Sequence, residues 1–292
     1  MTVPSGTVRG DWTMCWRALA VLATASVLSV LVVSPASGMI GGRDDPTSHP
    51  YVGAVDLRPA GFSIVASGVL VSPTVLVTAG HVTSFFENAG LTRARVSFDP
   101  VVGASSTWYT GTVHTDPMYD FGHEAPQNDP NDLGVIVFDE PISGITPAAL
   151  PSEGQLSHFG TQNQEGPTFQ NVGYGVSARV GAKNDRSLDA WTGDGTRRVI
   201  STDFKSSHDG WLDVTPLDGN ACRGDSGGPT MLGDVAVAIH KLDSNSNFCS
   251  GDGHGMRLDT PNHRAFLSAY GAPGGTPNRA GGRVAPRPDR GG

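Results

Sequence analysis

Short runs of strand-forming residues recur along this chain of 292 residues, and turn-forming residues separate them. The clearest runs cover residues 63–71, 74–78, 95–98, 133–138, 168–172, 197–201 and 235–240. Glycine, at 39 residues, supplies many of the turns between them. Short strands at this spacing predict an all-β fold, either a sandwich or a barrel, rather than alternating helices and strands.

One helix is expected near the end of the chain. Asp259 or Thr260 can cap it, Pro261 suits its first turn, and an apolar side follows over residues 265–270. Residues 272–292 are then mostly Gly, Pro, Arg and Ala, so they lack the apolar side chains that offset the entropy of ordering. We therefore expect a disordered tail over residues 272–292.

The amino-terminal segment has the charged, apolar and small-residue order of a secretory signal peptide. Arg9 and Arg17 precede an uncharged apolar run of 16 residues over 18–33, and small residues follow at 36–38. An uncleaved membrane anchor is the alternative, but the run is shorter than the roughly 18–20 residues that a spanning helix needs. We expect a signal peptide over residues 1–38 and a secreted, extracellular mature chain.

Charge and cysteine usage narrow the class of protein. The formal net charge of −8 gives no electrostatic reason to bind nucleic acid or an anionic membrane. Cys15 lies in the predicted leader, which leaves Cys222 and Cys249 as an even pair for an oxidising compartment. The composition favours a secreted globular protein with no nucleic-acid partner and no membrane contact after leader removal.

The segment GDSGGP over residues 224–229 has the strongest chemical signal. A serine between glycines fits a tight turn that a substrate carbonyl can approach. Gly224 removes a side chain from this turn, so the backbone N–H groups of Gly224 and Ser226 can converge as an oxyanion hole. An ordinary glycine-rich turn is the alternative for this segment taken alone.

Two further residues fit the partners that a serine nucleophile needs. His81 follows the strand-like run 74–78, and an imidazole can accept and return a proton near neutral pH. Asp132 leads into the run 133–138, where a carboxylate can orient the imidazole and stabilise its cation. Each signal is weak alone, because the chain has nine histidines and Asp is common at strand starts.

Together, the order His81, Asp132, Ser226 and the segments TAGH, NDLGV and GDSGGP resemble the trypsin/chymotrypsin-like serine proteases, in their secreted, bacterial type. The steps of 51 and 94 positions between the three residues are similar to those of the family. The resemblance covers about residues 40–270. It implies two six-stranded antiparallel β-barrels with a C-terminal helix, in one protease domain over residues 39–271.

The same resemblance implies an activity. By resemblance, the chain is a serine endopeptidase, which hydrolyses peptide bonds of protein or peptide substrates through an acyl-enzyme on Ser226. This chemistry needs no metal or organic cofactor, and we expect a monomer. A catalytically silent secreted binding protein on the same fold, or an esterase with the same triad, are the alternatives.

The family pattern also implies two pairs outside the triad. Cys222 and Cys249 stand in the places of a disulfide that braces the specificity pocket. In the family, activation of the zymogen frees an amino terminus, and its ammonium pairs with the aspartate before the catalytic serine. By resemblance, Ile40 stands in the place of that terminus and Asp225 in the place of that aspartate. Met39 would lie ahead of that terminus, so we expect Met39 to be trimmed or cleavage to occur directly before Ile40.

The sequence departs from the family at two structural positions. Ser67 and Val82 stand where the family has a second disulfide beside the histidine. Losing both cysteines together leaves no orphan thiol. Tyr174 replaces the tryptophan of a Gly-Trp-Gly element.

The specificity pocket departs further. Asn220, six residues before the serine, stands at the pocket base by resemblance, and because it is neutral we do not expect simple cleavage after Lys or Arg. The segment 238–242 does not match the usual pocket wall. His240 resembles the wall of glutamyl endopeptidases, with Arg223 and Lys241 as nearby cations for an acidic side chain. A rim histidine and two solvated cations are the alternative.

Overall fold

The structure is a computed structural model that describes residues 1–2, 39–120, 129–159, 166–182, 185, 187, 190–245 and 249–274. Nearly all of the predicted signal peptide and most of the predicted tail lie outside these residues, so both stay predictions. Residues 121–128, before Asp132, also lie outside them.

Strands make up most of the described chain. In chain order they are β1 (Arg43–Asp44), β2 (Val52–Asp56), β3 (Val65–Ser72), β4 (Val75–Thr78), β5 (Arg93–Ser97), β6 (Tyr109–Thr115), β7 (Gly134–Phe138), β8 (Thr168–Gly173), β9 (Ala178–Arg179), β10 (Trp191–Thr192), β11 (Arg198–His208), β12 (Trp211–Pro216), β13 (Pro229–Leu232), β14 (Val235–Asn245) and β15 (Ser250–Arg257).

The first barrel closes in the order β2-β3-β4-β7-β6-β5, and its neighbours pair antiparallel. Side chains alternate between the two faces of a strand, so every second residue can point into the barrel. Valine, leucine and isoleucine fill it, with Val69, Leu76, Val96 and Ile136 fully buried.

The second barrel has the order β11-β12-β15-β14-β13-β8 and closes through the pairing of β11 with β8. Strand β1 adds to β11 outside the ring. The second barrel has a core of its own, which contains the buried side chains of Phe169, Leu212 and Val237. The two six-stranded antiparallel barrels implied by the resemblance are thereby confirmed.

Two α-helices occur in the described part of the chain. Helix α1 (Gly80–Asn88) starts two residues after β4, and the sequence analysis did not predict it. Helix α2 (Pro261–Ala269) is the predicted C-terminal helix, and the side chain of its N-cap Thr260 accepts the N–H of His263. Neither helix has the length and apolar character to cross a membrane.

A buried clamp of two side chains, Tyr174 and Arg197, joins the barrels. The Tyr174 hydroxyl donates to the carbonyl of Asp99 at 2.8 Å. Nη1 of Arg197 donates to the carbonyls of Val52 and Phe98, each at 3.2 Å. Arg197 is 1% exposed. This interbarrel clamp ties residues beside β8 and β11 to the backbone of the first barrel.

Candidate active site

The pairing of β4 with β7 brings His81 close to Asp132. Thr78 at the end of β4 lies opposite Gly134 at the start of β7. His81 falls in the first turn of α1, directly after β4, and Asp132 falls just before β7. A Cβ on Gly80 would lie 2.9 Å from backbone atoms of Leu133, so glycine permits this close approach.

The partly buried His81 and the buried Asp132 form a close pair. Nδ1 of His81 lies 2.9 Å from Oδ2 of Asp132, and the backbone N–H of His81 donates to Oδ1 at 2.6 Å. Burial alone would raise the pKa of Asp132, but the charge and hydrogen bond of His81 and the charge of Lys241 outweigh it and lower the pKa. Asp132 is therefore ionised, and it fixes the orientation of the imidazole.

Ser226 lies in a tight turn that glycine makes possible. The backbone φ angle is +92° at Gly224 and +85° at Gly227, a region that side chains disfavour. A Cβ on Gly224 would lie 2.6 Å from the carbonyl oxygen of Val65. The Ser226 hydroxyl donates to the carbonyl of Lys241 at 3.0 Å. Ser226 and His81 line the same cleft, which has a volume of about 190 Å³.

The backbone amides of the turn divide into two groups. The N–H groups of Asp225, Gly227 and Gly228 donate to carbonyl oxygens within 3.0 Å. Within the described part of the chain, the N–H groups of Gly224 and Ser226 have no such acceptor. These are the two amides that the sequence assigned to an oxyanion hole, and they are available to a ligand oxygen.

Asp225, next to the nucleophile, is completely buried. Its carboxylate accepts the backbone N–H groups of Gly175 and Cys222, both at 2.8 Å. Burial dominates these hydrogen bonds and raises the pKa of Asp225 to about 7. A carboxylate in this place therefore needs a cation to stay fully charged near neutral pH.

The predicted amino-terminal residues pack close to the nucleophile segment. The carbonyl of Ile40 accepts the N–H of Asn220 at 2.8 Å, and these two residues form an isolated β-bridge. Met39 is 1% exposed and packs with Ile200 and Ala221. Ile40 is half-buried, so Met39 is the more deeply placed of the two.

The predicted pocket residues have different surroundings. Arg223 is half-buried and lines the cleft. His240 is buried in β14; burial, with His254 and His81 nearby, lowers its pKa to about 3, so it is neutral at physiological pH. The ammonium of Lys241 lies 3.0 Å from Oδ2 of Asp132. Its charge is thus engaged by Asp132 and not offered to a substrate side chain.

Two contributions of this site escaped the sequence analysis. One is the ion pair of Lys241. The other is Ser67, which was noted only for a missing cysteine: its hydroxyl donates to the carbonyl of Gly224 at 2.8 Å and accepts the N–H of Tyr174 at 2.9 Å. A polar residue in place of one cysteine of a missing pair is the signal that could have found Ser67. Val82, at the other position, is buried and lines the cleft.

Cys222 and Cys249 form the predicted disulfide, with their Cα atoms 4.9 Å apart. It ties the segment before Ser226 to the start of β15. In the described part of the chain, no group of three or more His, Cys, Asp or Glu side chains is arranged to hold a metal ion.

Comparison with known proteins agrees with this geometry. The family model of Trypsin matches residues 39–253. Human (Homo sapiens) granzyme M is 28% identical over 254 aligned residues, which cover 81% of this chain and 89% of granzyme M. The chain therefore belongs to the trypsin/chymotrypsin-like family of serine proteases.

Proposed function

We propose that the protein is a secreted serine endopeptidase that hydrolyses peptide bonds through an acyl-enzyme on Ser226. The observation that carries this proposal is one cleft with three features. His81, which is paired with Asp132, lines it; Ser226 lines it as well; and Gly224 and Ser226, whose amides donate to no backbone carbonyl in the described part of the chain, also belong to its lining. Protein or peptide chains are the substrates that follow from this family of hydrolases.

The chemistry proceeds in two halves. His81 takes the proton of the Ser226 hydroxyl as its oxygen attacks the substrate carbonyl, and the Gly224 and Ser226 amides stabilise the negative oxygen that forms. His81 then gives the proton to the leaving amine, and the carbonyl carbon stays bound to Ser226 as an ester. Water, activated by His81, hydrolyses that ester. Because the hydroxyl rests on the Lys241 carbonyl, it must first rotate towards His81.

The cleft itself favours an apolar substrate segment. Beside His81 it is lined by apolar side chains: Leu57, Phe62, Ile64, Ala66, Val82 and Phe85. The neutral Asn220 at the predicted pocket base argues against cleavage after Lys or Arg. The uncharged state of His240 argues against a strong preference for Glu. A peptide library that compares cleavage after Glu, Phe and Arg tests this, and we expect Phe to exceed both charged residues.

The function is tested by the intact mass of the secreted protein after incubation with a fluorophosphonate, beside a Ser226→Ala control. We expect stoichiometric labelling of the unmutated protein and none of the control. Absence of labelling in protein with a correctly processed terminus would instead favour the catalytically silent binding protein. A comparison of peptide and ester hydrolysis rates separates the endopeptidase from an esterase.

Activation completes the proposal. A freed ammonium next to Asp225 would supply the cation that this buried carboxyl needs, and the protein would remain a zymogen until then. The sequence assigned that ammonium to Ile40. The deep burial of Met39, the bridge of Ile40 to Asn220 and a family match that begins at residue 39 support Met39 as the terminus. Leader cleavage after Gly38 would then produce the active terminus directly.

Amino-terminal sequencing of fully active protein from the culture medium decides between the two residues. We expect Met39. A terminus at Ile40 would restore the trimming step, and a protein that is retained in cells with its leader attached would contradict secretion.

A further inference from the structure

Lys241 contacts two of the three proposed catalytic residues. Its ammonium lies 3.0 Å from Oδ2 of Asp132, and its carbonyl accepts the hydroxyl of Ser226. The lysine side chain is 4% exposed and the aspartate side chain 0%. Solvent and salt therefore screen this ion pair far less than one at the surface.

Further contacts hold the lysine in place. Its ammonium lies 3.4 Å from the carbonyl oxygen of Asp129 and 5.3 Å from the centre of the Trp211 ring, a cation–π distance. A buried ammonium is costly unless it is paired, and these contacts with Asp132, Asp129 and Trp211 offset that cost. The ammonium is therefore a fixed part of the site.

This position changes the charge balance of the triad. Oδ2 of Asp132 accepts both Nδ1–H of His81 and the ammonium of Lys241. When His81 takes the serine proton, Asp132 must stabilise an imidazolium. An ammonium on the same carboxylate cancels part of that stabilisation, and it also repels the imidazolium.

We propose that Lys241 is a positioning residue that acts through Asp132: it fixes the carboxylate and extends to lower pH the range in which His81 can accept the proton of Ser226. The inference rests on the proposed serine-hydrolase function. Other ionisable groups also face this pair, and a substitution of Lys241 alone leaves their chemical identity unchanged. They are Tyr119 and Asp129 near Asp132, His240 near His81, and Arg223 in the cleft.

The test measures the rate of Ser226 labelling by a fluorophosphonate as a function of pH, so it needs no knowledge of the peptide substrate. The neutral variants Lys241→Gln and Lys241→Met should shift the midpoint of the acidic limb upwards by about one pH unit. Lys241→Arg keeps the charge and should keep the midpoint. Lys205→Gln is the matched control, because Lys205 pairs with Asp252 in the same barrel, away from the triad.

An unchanged midpoint in a folded neutral variant would overturn the inference and leave Lys241 a purely structural role. If the Gln and Met variants misfold, the smaller neutral variant Lys241→Ser takes their place. Circular dichroism checks the folding of each variant. NMR titration of the His81 ring in a Ser226→Ala background, with and without Lys241→Gln, gives a readout independent of catalysis. If the unmutated protein is never labelled, the proposed function fails, while this titration still decides the role of Lys241.

Discussion

At the scale of single residues, Ser67 joins the turn that contains Ser226 to the residue that follows β8. Its hydroxyl bridges the Gly224 carbonyl and the Tyr174 N–H, and its own N–H donates to the carbonyl of Ser226 at 3.0 Å. The side chain is completely buried. Hydrogen bonds from the first barrel thus support the turn of the nucleophile at the place where the family has a disulfide.

Replacing Ser67 should therefore affect both stability and reactivity. In Ser67→Ala the Tyr174 N–H is left buried without its acceptor, so we expect the free energy of unfolding to fall by about 1–3 kcal/mol. The turn that contains Gly224 and Ser226 should also become less rigid, and fluorophosphonate should then label Ser226 more slowly. Urea unfolding and labelling rates measure the two effects. Ser268→Ala, on the exposed side of α2, is the control and should change neither.

At the scale of elements, Asp213 on β12 joins three strands of the second barrel. Oδ2 accepts the hydroxyl of Ser206 at 2.7 Å and lies 3.0 Å from Nε2 of His208, both on β11. Oδ1 lies 2.6 Å from Nδ1 of His254 on β15. Burial would raise the pKa of Asp213, but these hydrogen bonds and the His254 charge outweigh it and lower the pKa to about 2.

The lowered pKa makes this contribution depend on pH. A carboxyl whose folded pKa lies below its unfolded value of 3.8 stabilises the fold above that value, and the contribution is lost as pH falls towards 2. Asp213→Asn should lower the free energy of unfolding by about 2 kcal/mol at pH 7 and by much less at pH 2. Urea titrations at the two pH values measure this. An equal loss at both would assign the effect to packing instead.

The elements also show where sequence patterns were sufficient. Runs with clean β-type apolar character, such as β3, β4 and β7, were predicted almost to their ends. Strand β15 was missed, because its residues Ser250–Arg257 include three glycines and little apolar alternation. Helix α1 was missed because it lacks a side-chain cap and contains aromatic and β-branched residues, so tertiary packing must determine it.

Sequence patterns also predicted some residues of the candidate active site and missed the role of others. The family motifs predicted His81, Asp132 and Ser226 as a triad, because each lies in a short segment with a fixed pattern: just after β4, just before β7, and in a glycine turn. Lys241 was assigned to the pocket, because a sequence position does not reveal which direction a long side chain takes. In the folded protein its ammonium lies 3.0 Å from Oδ2 of Asp132, in the loop before β7.

At the scale of the whole molecule, the interbarrel clamp should determine how the two barrels unfold. Arg197 is buried and its guanidinium donates to backbone carbonyls of the first barrel. Arg197→Met removes the guanidinium from both carbonyls, although the carbonyl of Val52 keeps the Tyr174 hydroxyl as a donor, and we expect a loss of about 3–5 kcal/mol or a second unfolding transition. Calorimetry detects either result. Arg93→Met, which removes an exposed ion pair with Asp139, should cost less than about 1 kcal/mol.

The disulfide has a consequence for how the molecule matures. Cys222 and Cys249 both belong to the second barrel and its loops, as Ser226 does. Residues 39–221, which supply His81 and Asp132, contain no cysteine. Folding of the first barrel therefore needs no oxidant, whereas the nucleophile turn gains about 3 kcal/mol of support only after oxidation. Complete reduction of this buried disulfide, or the double variant Cys222→Ser and Cys249→Ser, should slow labelling of Ser226 while the first barrel stays folded. The two halves of the candidate site therefore depend on different conditions during maturation: the half with His81 and Asp132 forms without oxidation, and the half with Ser226 is stabilised by it.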